Sequence, residues 1–446
     1  MLRVAIAGAG VTGLLAAIGL ARYGHQVTIY ERKTETVFGN EGGAGIQLQA
    51  NAMRILQAWN LDIQDVAHHS DGVAVRRYAN GEKVAVIKPV AGTQMFMLRS
   101  DFRRSMLKHA LAAGVRVLFN QDILGVDVSR PALLMKGGVE IEADLIIGAD
   151  GIRSKVRSTL FPTVQPEVRA ECTFQLQVPF SELKSDAAKE IISSPNANLF
   201  FGPDTTIVAS PIFSRNIFDL QFITQQYGWE TDPHPDIWNE YIPDMTDIKN
   251  RYRKYGPVVQ ELLTLGKGVW KWRHAECFSP SWISENGKVI LAGDACHAMV
   301  PFAGHGAGMC IEDAAVLTTM FRDVAPQDHS GIKTRAKLFQ DLRQPRTDRC
   351  HRRTLAMAVS YGLPDGDFQR KRDVALQHVM EKKVHLPLRG DRDAHPLSTE
   401  FENWLEQYDA LEEVRTTHFV ERSDTDSCKA RNTLRTAGLA EPASKL

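Results

Sequence analysis

A glycine-rich turn near the start of the chain constrains the fold more than any other feature. It reads Gly8-Ala9-Gly10-Val11-Thr12-Gly13, follows the apolar run 4–7 and opens a stretch with helical character. Glu31 comes eighteen residues after the last of these glycines, at the end of the apolar segment 27–30. In a strand–turn–helix–strand unit, such glycines permit a tight turn, the approach of a pyrophosphate and close packing of the helix, and the acid binds ribose hydroxyls. The turn therefore predicts a dinucleotide-binding site.

The composition is that of a large globular protein. The chain has 446 residues, of which 43% are hydrophobic and 24% are charged, so it can bury a core across two domains plus a tail. Lysine plus arginine and aspartate plus glutamate each number 53, so no net charge favours nucleic acid, and no nucleic-acid partner is expected. Apart from the glycine-interrupted N-terminal stretch, no apolar run approaches about twenty residues, and no membrane span is expected.

Cysteine spacing and the C-terminal tripeptide bear on the compartment. The six cysteines are scattered and form no C-x-x-C pair or metal-type spacing, so we expect a reducing compartment, buried thiols and no bound metal. The last three residues, Ser444-Lys445-Leu446, match a peroxisomal address that an import receptor reads at an exposed carboxyl end. We therefore expect the protein to be peroxisomal, with the cytoplasm as the alternative.

Two later segments repeat the pattern of a strand that ends in a glycine and an acid. Residues 145–149 form an apolar strand before Asp150-Gly151, and residues 288–292 form another before Gly293-Asp294. The second is followed by the Gly-rich loop 301–308 and by a helix. One dinucleotide site can use all three strand ends.

The rest of the chain is expected to contain a separate sheet. Ser100 is the expected N-cap of a helix that extends to about Ala113. Residues 165–280 favour strands, interrupted by helices near 181–192 and 245–265. This β-rich block lies between pieces of the dinucleotide-binding region, so we expect it to cover the ligand as a substrate domain.

In this order, the motifs resemble those of the FAD-dependent aromatic-hydroxylase family of single-component flavoprotein monooxygenases, in its salicylate-hydroxylase-like and fungal biosynthetic branch. The resemblance extends from residue 1 to about residue 345. It implies an α/β fold with an FAD-binding Rossmann-like domain of the glutathione-reductase type, an inserted β-sheet substrate domain and a helical C-terminal region. The expected domains are residues 1–70, 96–164 and 280–345 for FAD, residues 71–95 and 165–279 for the substrate, residues 346–430 for the helical region and residues 431–446 for the tail.

The resemblance also assigns residues to the cofactor. Gly8, Gly10 and Gly13 would hold the FAD pyrophosphate, and Glu31 would hold the adenosine ribose. The other implied contacts lie in a glycine loop, at a helix start, at the two later strand ends and in the Gly-rich loop: Ala44, Gly45, Arg99, Asp150, Asp294, Pro301, Gly304, Gly306 and Ala307.

Some of these residues have other possible roles. Arg99 could be a surface arginine of its helix, and Asp150 could cap the helix that follows it. In the loop 304–308, backbone amides and a helix N-terminus suit the negative charge of a reduced flavin. The family usually has amide side chains there, whereas this chain has His305 and Gly308-Met309, which leaves side-chain contacts to the flavin open.

The resemblance implies a reaction as well. NADPH or NADH would reduce FAD. The nicotinamide would dock transiently, because the chain has no second G-x-G-x-x-G. One oxygen atom of O2 would then enter an electron-rich aromatic or alkene molecule by hydroxylation or epoxidation. The expected substrate is a small molecule of polyketide or alkaloid type from secondary metabolism. A reductase of C=C bonds and a non-catalytic FAD-binding redox protein remain alternatives.

No catalytic residue is assigned by the sequence. Some relatives hold a phenolate with an arginine and a tyrosine on the substrate sheet, but the corresponding strand here carries the neutral Gln175. The sequence therefore favours a substrate that needs no deprotonation. Gln175, Phe302 and His305 are the pocket candidates. Most other phenylalanines of the sheet are expected in its core.

Overall fold

The structure is a computed structural model that describes residues 1–40, 42–89, 92, 94–381 and 390–417. The predicted tail 431–446, with its tripeptide Ser444-Lys445-Leu446, lies outside the described residues.

Within these ranges the chain forms nineteen strands. They are β1 (Arg3–Ala7), β2 (Gln26–Tyr30), β3 (Gly45–Leu48), β4 (His68–His69), β5 (Val73–Arg77), β6 (Lys83–Ile87), β7 (Met95–Leu98), β8 (Arg116–Leu118), β9 (Ile123–Asp127), β10 (Ala132–Met135), β11 (Glu140–Glu142), β12 (Leu145–Gly148), β13 (Glu167–Pro179), β14 (Ala197–Gly202), β15 (Thr205–Ile212), β16 (Ile217–Thr224), β17 (Asn239–Ile242), β18 (Val269–Phe278) and β19 (Val289–Leu291).

The same ranges contain thirteen α-helices. They are α1 (Val11–Arg22), α2 (Glu35–Asn40), α3 (Ala50–Ala58), α4 (Arg99–Ala112), α5 (Lys155–Leu160), α6 (Asp186–Ser193), α7 (Thr246–Arg251), α8 (Pro257–Leu265), α9 (Asp294–His297), α10 (Gly306–Met320), α11 (His329–Tyr361), α12 (Asp367–Glu381) and α13 (Thr399–Gln407). None of these described helices combines the length and the apolar character that crossing a membrane requires.

The glycine-rich turn leaves the middle strand of a five-stranded parallel sheet, whose order is β19-β12-β1-β2-β8. Ala7 of β1 pairs with Gly148 of β12, and Gly148 pairs with Leu291 of β19. Because parallel strands end at the same edge of a sheet, the residues that follow these three strands lie side by side. This edge brings together the three strand ends that are far apart in the sequence.

The β-rich block forms a separate eight-stranded sheet with the order β17-β18-β13-β16-β15-β14-β5-β6. Its pairings are antiparallel except that between β14 and β5. Alternate residues face opposite sides. One face packs against α6, α7 and α8 around Phe174 and Leu220, and the other face packs Leu199 and Phe201 towards Phe302. With α11, α12 and α13 as the helical C-terminal region, the predicted α/β fold is confirmed.

Three details differ from the sequence predictions. The N-cap of α4 is Leu98, and Ser100 lies inside the first turn without capping it. The helix expected near 245–265 is two helices, because Pro257 disfavours helical geometry in the residue before it. The helix α11 continues through Pro345, so the domain boundary expected beside this residue falls inside one helix.

A buried ion cluster joins α10 to α11. Glu312 and Asp313 of α10 are fully buried. Arg343 donates to Asp313 Oδ1 at 2.8 Å and to Glu312 Oε2 at 2.5 Å, and Arg346 donates to both Glu312 oxygens at 2.6 and 2.7 Å. His297 Nε2 donates to Asp313 Oδ2 at 2.5 Å. Buried charges are tolerated when they are paired and hydrogen-bonded, which each member of this cluster achieves.

Removing one charge from the cluster should destabilise the protein strongly. In Glu312→Gln, two buried guanidinium groups lose their shared carboxylate, and we expect a loss of about 3 kcal/mol or more in the free energy of unfolding. The measurement is urea unfolding followed by circular dichroism. The matched control is Asp341→Asn, which breaks an exposed ion pair with Lys337 on α11 and should cost less than about 1 kcal/mol. Equal losses in the two variants would contradict the prediction.

Candidate active site

A cavity of about 770 Å³ lies where the carboxyl edge of the parallel sheet meets the eight-stranded sheet. Ten of the predicted site residues line it: Gly10, Gly45, Arg99, Asp294, Pro301, Phe302, Gly304, His305, Gly306 and Ala307. The remaining predicted residues are not part of the cavity wall: Gly8, Gly13, Glu31, Ala44, Asp150 and Gln175.

The glycine-rich turn borders the cavity at one position and is packed at the others. Gly8 has a φ of 95°, and a Cβ on Gly13 would lie 2.1 Å from Gly8 O, so both positions require glycine. A Cβ on Gly10 would meet only Ala149 O, at 3.8 Å. The helix α1 begins directly after Gly10 with no side-chain cap and no acid in its first turn. Its amides and its dipole therefore suit an anion in the cavity.

Glu31 lies beside this turn. Its Oε2 accepts a hydrogen bond from Ala9 N at 2.8 Å, and its Oε1 accepts one from Lys33 N at 2.9 Å. The carboxylate is thus held at the end of β2, against the backbone of the turn.

The acids at the other two strand ends behave differently from each other. Asp150 accepts from Ser154 Oγ at 2.5 Å and from Lys155 N at 2.7 Å, so its side chain caps α5. This is the alternative role that the sequence allowed for Asp150. Its neighbour Gly151 lines the cavity. Asp294 is exposed at the start of α9 and faces the cavity.

The Gly-rich loop leads into a second helix N-terminus in the cavity wall. The helix α10 starts after His305 without a side-chain cap and without an acid in its first turn, and a Cβ on Gly306 would meet nothing within 4 Å. Gln49 Nε2 donates to Gly304 O at 3.2 Å, and Gln47 also lines the cavity. Amide side chains thus reach the loop from β3 and from the residue that follows it. Neither glutamine was predicted, although both closely follow the glycine stretch 42–45.

His305 is a neutral group in the cavity wall. Burial, reinforced by the positive charges of Arg353 and Arg346, lowers the pKa of His305 to about 3. Its Nδ1 is buried and has no hydrogen-bond partner among the described residues. The imidazole therefore adds a polar group to the loop without adding a charge.

A buried aspartate of the eight-stranded sheet holds the glycine loop before β3. Asp219 accepts hydrogen bonds from Gly45 N at 2.8 Å, from Gln175 Nε2 at 2.7 Å and from Gln177 Nε2 at 2.9 Å. Burial raises the pKa of the Asp219 carboxyl group, and the hydrogen bonds oppose that shift. Sequence reasoning missed Asp219, although it is the one acid in the apolar strand β16.

The expected pocket role of Gln175 does not agree with this arrangement. Its amide also donates to Gly43 O at 2.9 Å, so it holds the loop and does not face the cavity. The same loop is linked to α4, because Arg99 N donates to Ala44 O at 3.0 Å. The exposed side chain of Arg99 lines the cavity.

The half of the cavity against the eight-stranded sheet is apolar. Tyr361 stacks on Phe201 with ring centroids 4.4 Å apart, and Phe302 lies edge-on to Tyr361 at 6.4 Å. Phe302 was predicted, whereas Phe201 was not distinguished from the core phenylalanines. Alternation along a strand does not tell which of its two faces lines the cavity and which packs in the core. Aliphatic side chains complete this half: Val73, Ala197, Leu199, Val208, Ile223 and Leu376.

A cysteine, a histidine and an aspartate meet behind Asp294. Possible metal-ligand atoms of Cys296, His297 and Asp313 lie within 4.8 Å of one another. Asp313 Oδ2 accepts from His297 and, at 2.8 Å, from Gly293 N, while Cys296 Sγ donates to Gly293 O at 3.3 Å. Burial raises the pKa of the Cys296 thiol well above its usual value, so the thiol stays protonated. The hydrogen bonds of Cys296 and Asp313 to the backbone of Gly293 fix the turn before Asp294.

The chain is similar in sequence to known proteins. A family model described as FAD binding domain matches residues 1–330, and the chain belongs to this family. It is 26% identical over 425 residues to FAD-dependent monooxygenase OpS4 of Beauveria bassiana, which covers 92% of this chain and 96% of that protein. It is 29% identical over 388 residues to 3-amino-4-hydroxybenzoate 2-monooxygenase PtnB3 of Streptomyces platensis, covering 83% and 91%.

A solved structure supports the fold. The salicylate hydroxylase substrate complex superposes with a TM-score of 0.72 at 21% sequence identity, covering 93% of this chain and 97% of that one. Together, the family and these relatives establish the protein as an FAD-dependent monooxygenase that uses NADPH or NADH. The resemblance noted in the sequence is confirmed.

Two glycines of the turn should respond differently to an added methyl group. Gly13→Ala should lower the melting temperature of the protein with or without FAD, because the Cβ would lie 2.1 Å from Gly8 O. Gly10→Ala should keep the melting temperature of the FAD-free protein but weaken FAD binding by roughly tenfold or more, because its Cβ would take the space of the pyrophosphate. Circular dichroism melts and a flavin-fluorescence titration make the measurement. Unchanged FAD affinity in Gly10→Ala would place the pyrophosphate elsewhere.

Proposed function

We propose that the protein inserts one oxygen atom of O2 into an electron-rich carbon of a small aromatic or alkene molecule, and that the cavity holds FAD and this substrate together. The observation that carries the proposal is the division of one cavity into two halves. One half is bordered by glycine backbone and two uncapped helix N-termini, and the other is lined by aromatic and aliphatic side chains. The ring-containing substrates named for PtnB3 and for the salicylate hydroxylase support an aromatic molecule here.

The polar half fits FAD. The uncapped end of α1 suits a pyrophosphate, and Glu31 lies beside it for the ribose. Gln49 Oε1 is buried and has no partner in the described part of the chain, so it offers an acceptor to a ligand. The residues that we propose to contact or shape the FAD site are Gly8, Gly10, Gly13, Glu31, Ala44, Gly45, Arg99, Asp150, Asp294, Pro301, Gly304, Gly306 and Ala307.

The bound cofactor would supply the transfer of oxygen to the substrate after accepting electrons from NADPH or NADH. The residues of this chain would orient the two molecules and exclude water. The amides at the start of α10 would stabilise negative charge that develops at the flavin. Because His305 is neutral, it would not compete with these amides by adding a positive charge of its own. Phe302, at the junction of the two halves, would shield the reacting atoms from solvent.

A substrate that needs no deprotonation fits the apolar half best. Glu402, a carboxylate in the cavity wall, is paired with Arg353 at 3.1 Å. His305 is too weak a base to take a proton from a phenol near neutral pH, because its pKa is about 3. Indoles, alkenes and enamines are therefore the substrate types to test beside phenols.

Oxygen chemistry separates the proposal from its rivals. The purified yellow protein is mixed with NADPH or NADH and a panel of phenols, indoles, alkenes, enamines and polyketide-like enols. We expect a ring or alkene substrate to accelerate NAD(P)H oxidation, with matching O2 uptake and one atom of labelled oxygen in the product. Product formation without O2 uptake would indicate a C=C reductase. Failure of NAD(P)H to bleach the flavin with any substrate would favour a non-catalytic FAD-binding protein.

Asp294 provides a test of the FAD site. Asp294→Ala should purify with less FAD and bind added FAD at least about tenfold more weakly, because a charged acceptor at the cavity wall is lost. Asp341→Ala, which removes an exposed acid of α11, is the control and should keep full FAD content. A full yellow spectrum in Asp294→Ala would refute this assignment.

We also propose that the peroxisomal import receptor reads Ser444-Lys445-Leu446, with the match of the tripeptide as the support. A fluorescent protein fused before residue 1 of the full chain should form puncta that overlap a peroxisomal marker. Removal of the three residues should make the fluorescence diffuse. Diffuse fluorescence of both forms would refute import and favour the cytoplasm.

A further inference from the structure

Thr206 carries a buried hydroxyl that no group in the described part of the chain satisfies. The residue is fully buried on β15 and lines the cavity, and its Oγ1 has no hydrogen-bond partner among the described residues. Other threonines of the sheet are paired: Thr205 with Tyr255, and Thr224 with Tyr252. Buried polar groups almost always have a partner, so a lone hydroxyl in a cavity wall indicates that a ligand supplies one.

The surroundings of Thr206 are flat and aromatic. Thr206 pairs with Phe201 on one side and with Ile223 on the other. Phe201 carries the stacked ring of Tyr361, and Phe302 faces that ring edge-on. Phe201 is already covered by Tyr361 and Arg372, so a planar ligand ring would meet this group of side chains through edge contacts. The part of the cavity beside Phe201, Tyr361 and Phe302, called the slot below, therefore suits an aromatic ring whose polar substituent points to Thr206.

Two arginines of the cavity wall, Arg372 and Arg353, are already paired with carboxylates. Arg372 lies over the Phe201 ring at 4.7 Å, and it donates to Asp373 Oδ1 at 2.7 Å and to Ser360 O at 2.7 Å. Arg353 is paired with Glu402. A carboxylate placed in the slot would lose its hydration, and neither Arg372 nor Arg353 could offset this loss with an unpaired charge, which is unfavourable.

Another cation of the wall is distant and solvated. Lys88 is exposed and follows β6, where Ile87 pairs with Val73 and Val73 with Ala197. Ala197 is four residues from Phe201 along β14, or about 13 Å at roughly 3.3 Å per residue. Lys88 therefore lies towards the opposite end of the sheet from Thr206.

We propose that Thr206 binds an uncharged hydroxyl or carbonyl substituent of the substrate and thereby selects a neutral aromatic molecule. This proposal rests on the proposed function, which assigns the cavity to the substrate. It adds the class of substrate and the residue that recognises its substituent. Thr206 acts by direct contact with the substrate.

The test measures binding to the FAD-loaded protein by calorimetry, without NAD(P)H. The probes are 2-naphthol, naphthalene and 2-naphthoate, which share one ring system and differ in the substituent. We expect 2-naphthol to bind more tightly than 2-naphthoate. The nearly isosteric variant Thr206→Val should bind 2-naphthol roughly 3- to 10-fold more weakly than the wild type, as expected for one lost neutral hydrogen bond. Its affinity for naphthalene should not fall.

Thr206→Ser is the matched control. It keeps the hydroxyl and should bind 2-naphthol within about twofold of the wild type. The FAD content and the melting temperature of both variants should match the wild type, because the site of substitution is in the sheet and not at the cofactor.

Three outcomes would overturn the proposal. They are equal affinity of Thr206→Val and wild type for 2-naphthol, tighter binding of 2-naphthoate than of 2-naphthol, and no binding of 2-naphthol at its solubility limit. Binding of 2-naphthol with the expected loss in Thr206→Val, but without substrate-dependent O2 uptake on any molecule of the panel described under the proposed function, would instead overturn the proposed function and leave the Thr206 subsite standing.

Discussion

The buried ion cluster of Glu312, Asp313, Arg343, Arg346 and His297 is the interaction on which the rest of the site depends. Charges this deep are stable only as a complete set, because each one would carry a large desolvation cost alone. The set places α10 against α11, and through Asp313 it also holds Gly293 N. One end of the cluster therefore fixes the strand-end turn that carries Asp294, and the other fixes the helix whose N-terminus faces the cavity.

Much of the cofactor half of the site could be predicted from the sequence. Each strand-end motif carries its own local signal, and parallel pairing then forces their ends to one edge, as Ala7, Gly148 and Leu291 show. The substrate half could not be predicted in the same way. Phe201 and Phe200 are adjacent in the sequence and face opposite sides, so their roles depend on strand pairing that no local pattern fixes. Gln175 was misplaced for the same reason, since Asp219 reaches it from a neighbouring strand.

The two halves are coupled at Asp219. This carboxylate belongs to the eight-stranded sheet, yet it accepts a hydrogen bond from Gly45, whose loop borders the cofactor half. Loss of water from around a carboxylate is unfavourable, and the four donors that surround Asp219 offset it fully only while the loop stays in place. A shift of the eight-stranded sheet would therefore move the loop before β3, which borders the cavity, and a shift of the loop would move the sheet.

The alternation of the strands that line the cavity has a consequence for how this protein can change over evolution. Positions 206, 208 and 210 line the cavity, while positions 207 and 209 belong to the core on the other side. Substitutions at every second residue of β14, β15 and β16 can therefore reshape the slot while the packing behind it is preserved. The cavity-lining residues and the core residues thus lie on opposite faces of the sheet. Single mutations on the cavity face can therefore change ligand specificity without disturbing the core packing on the other face.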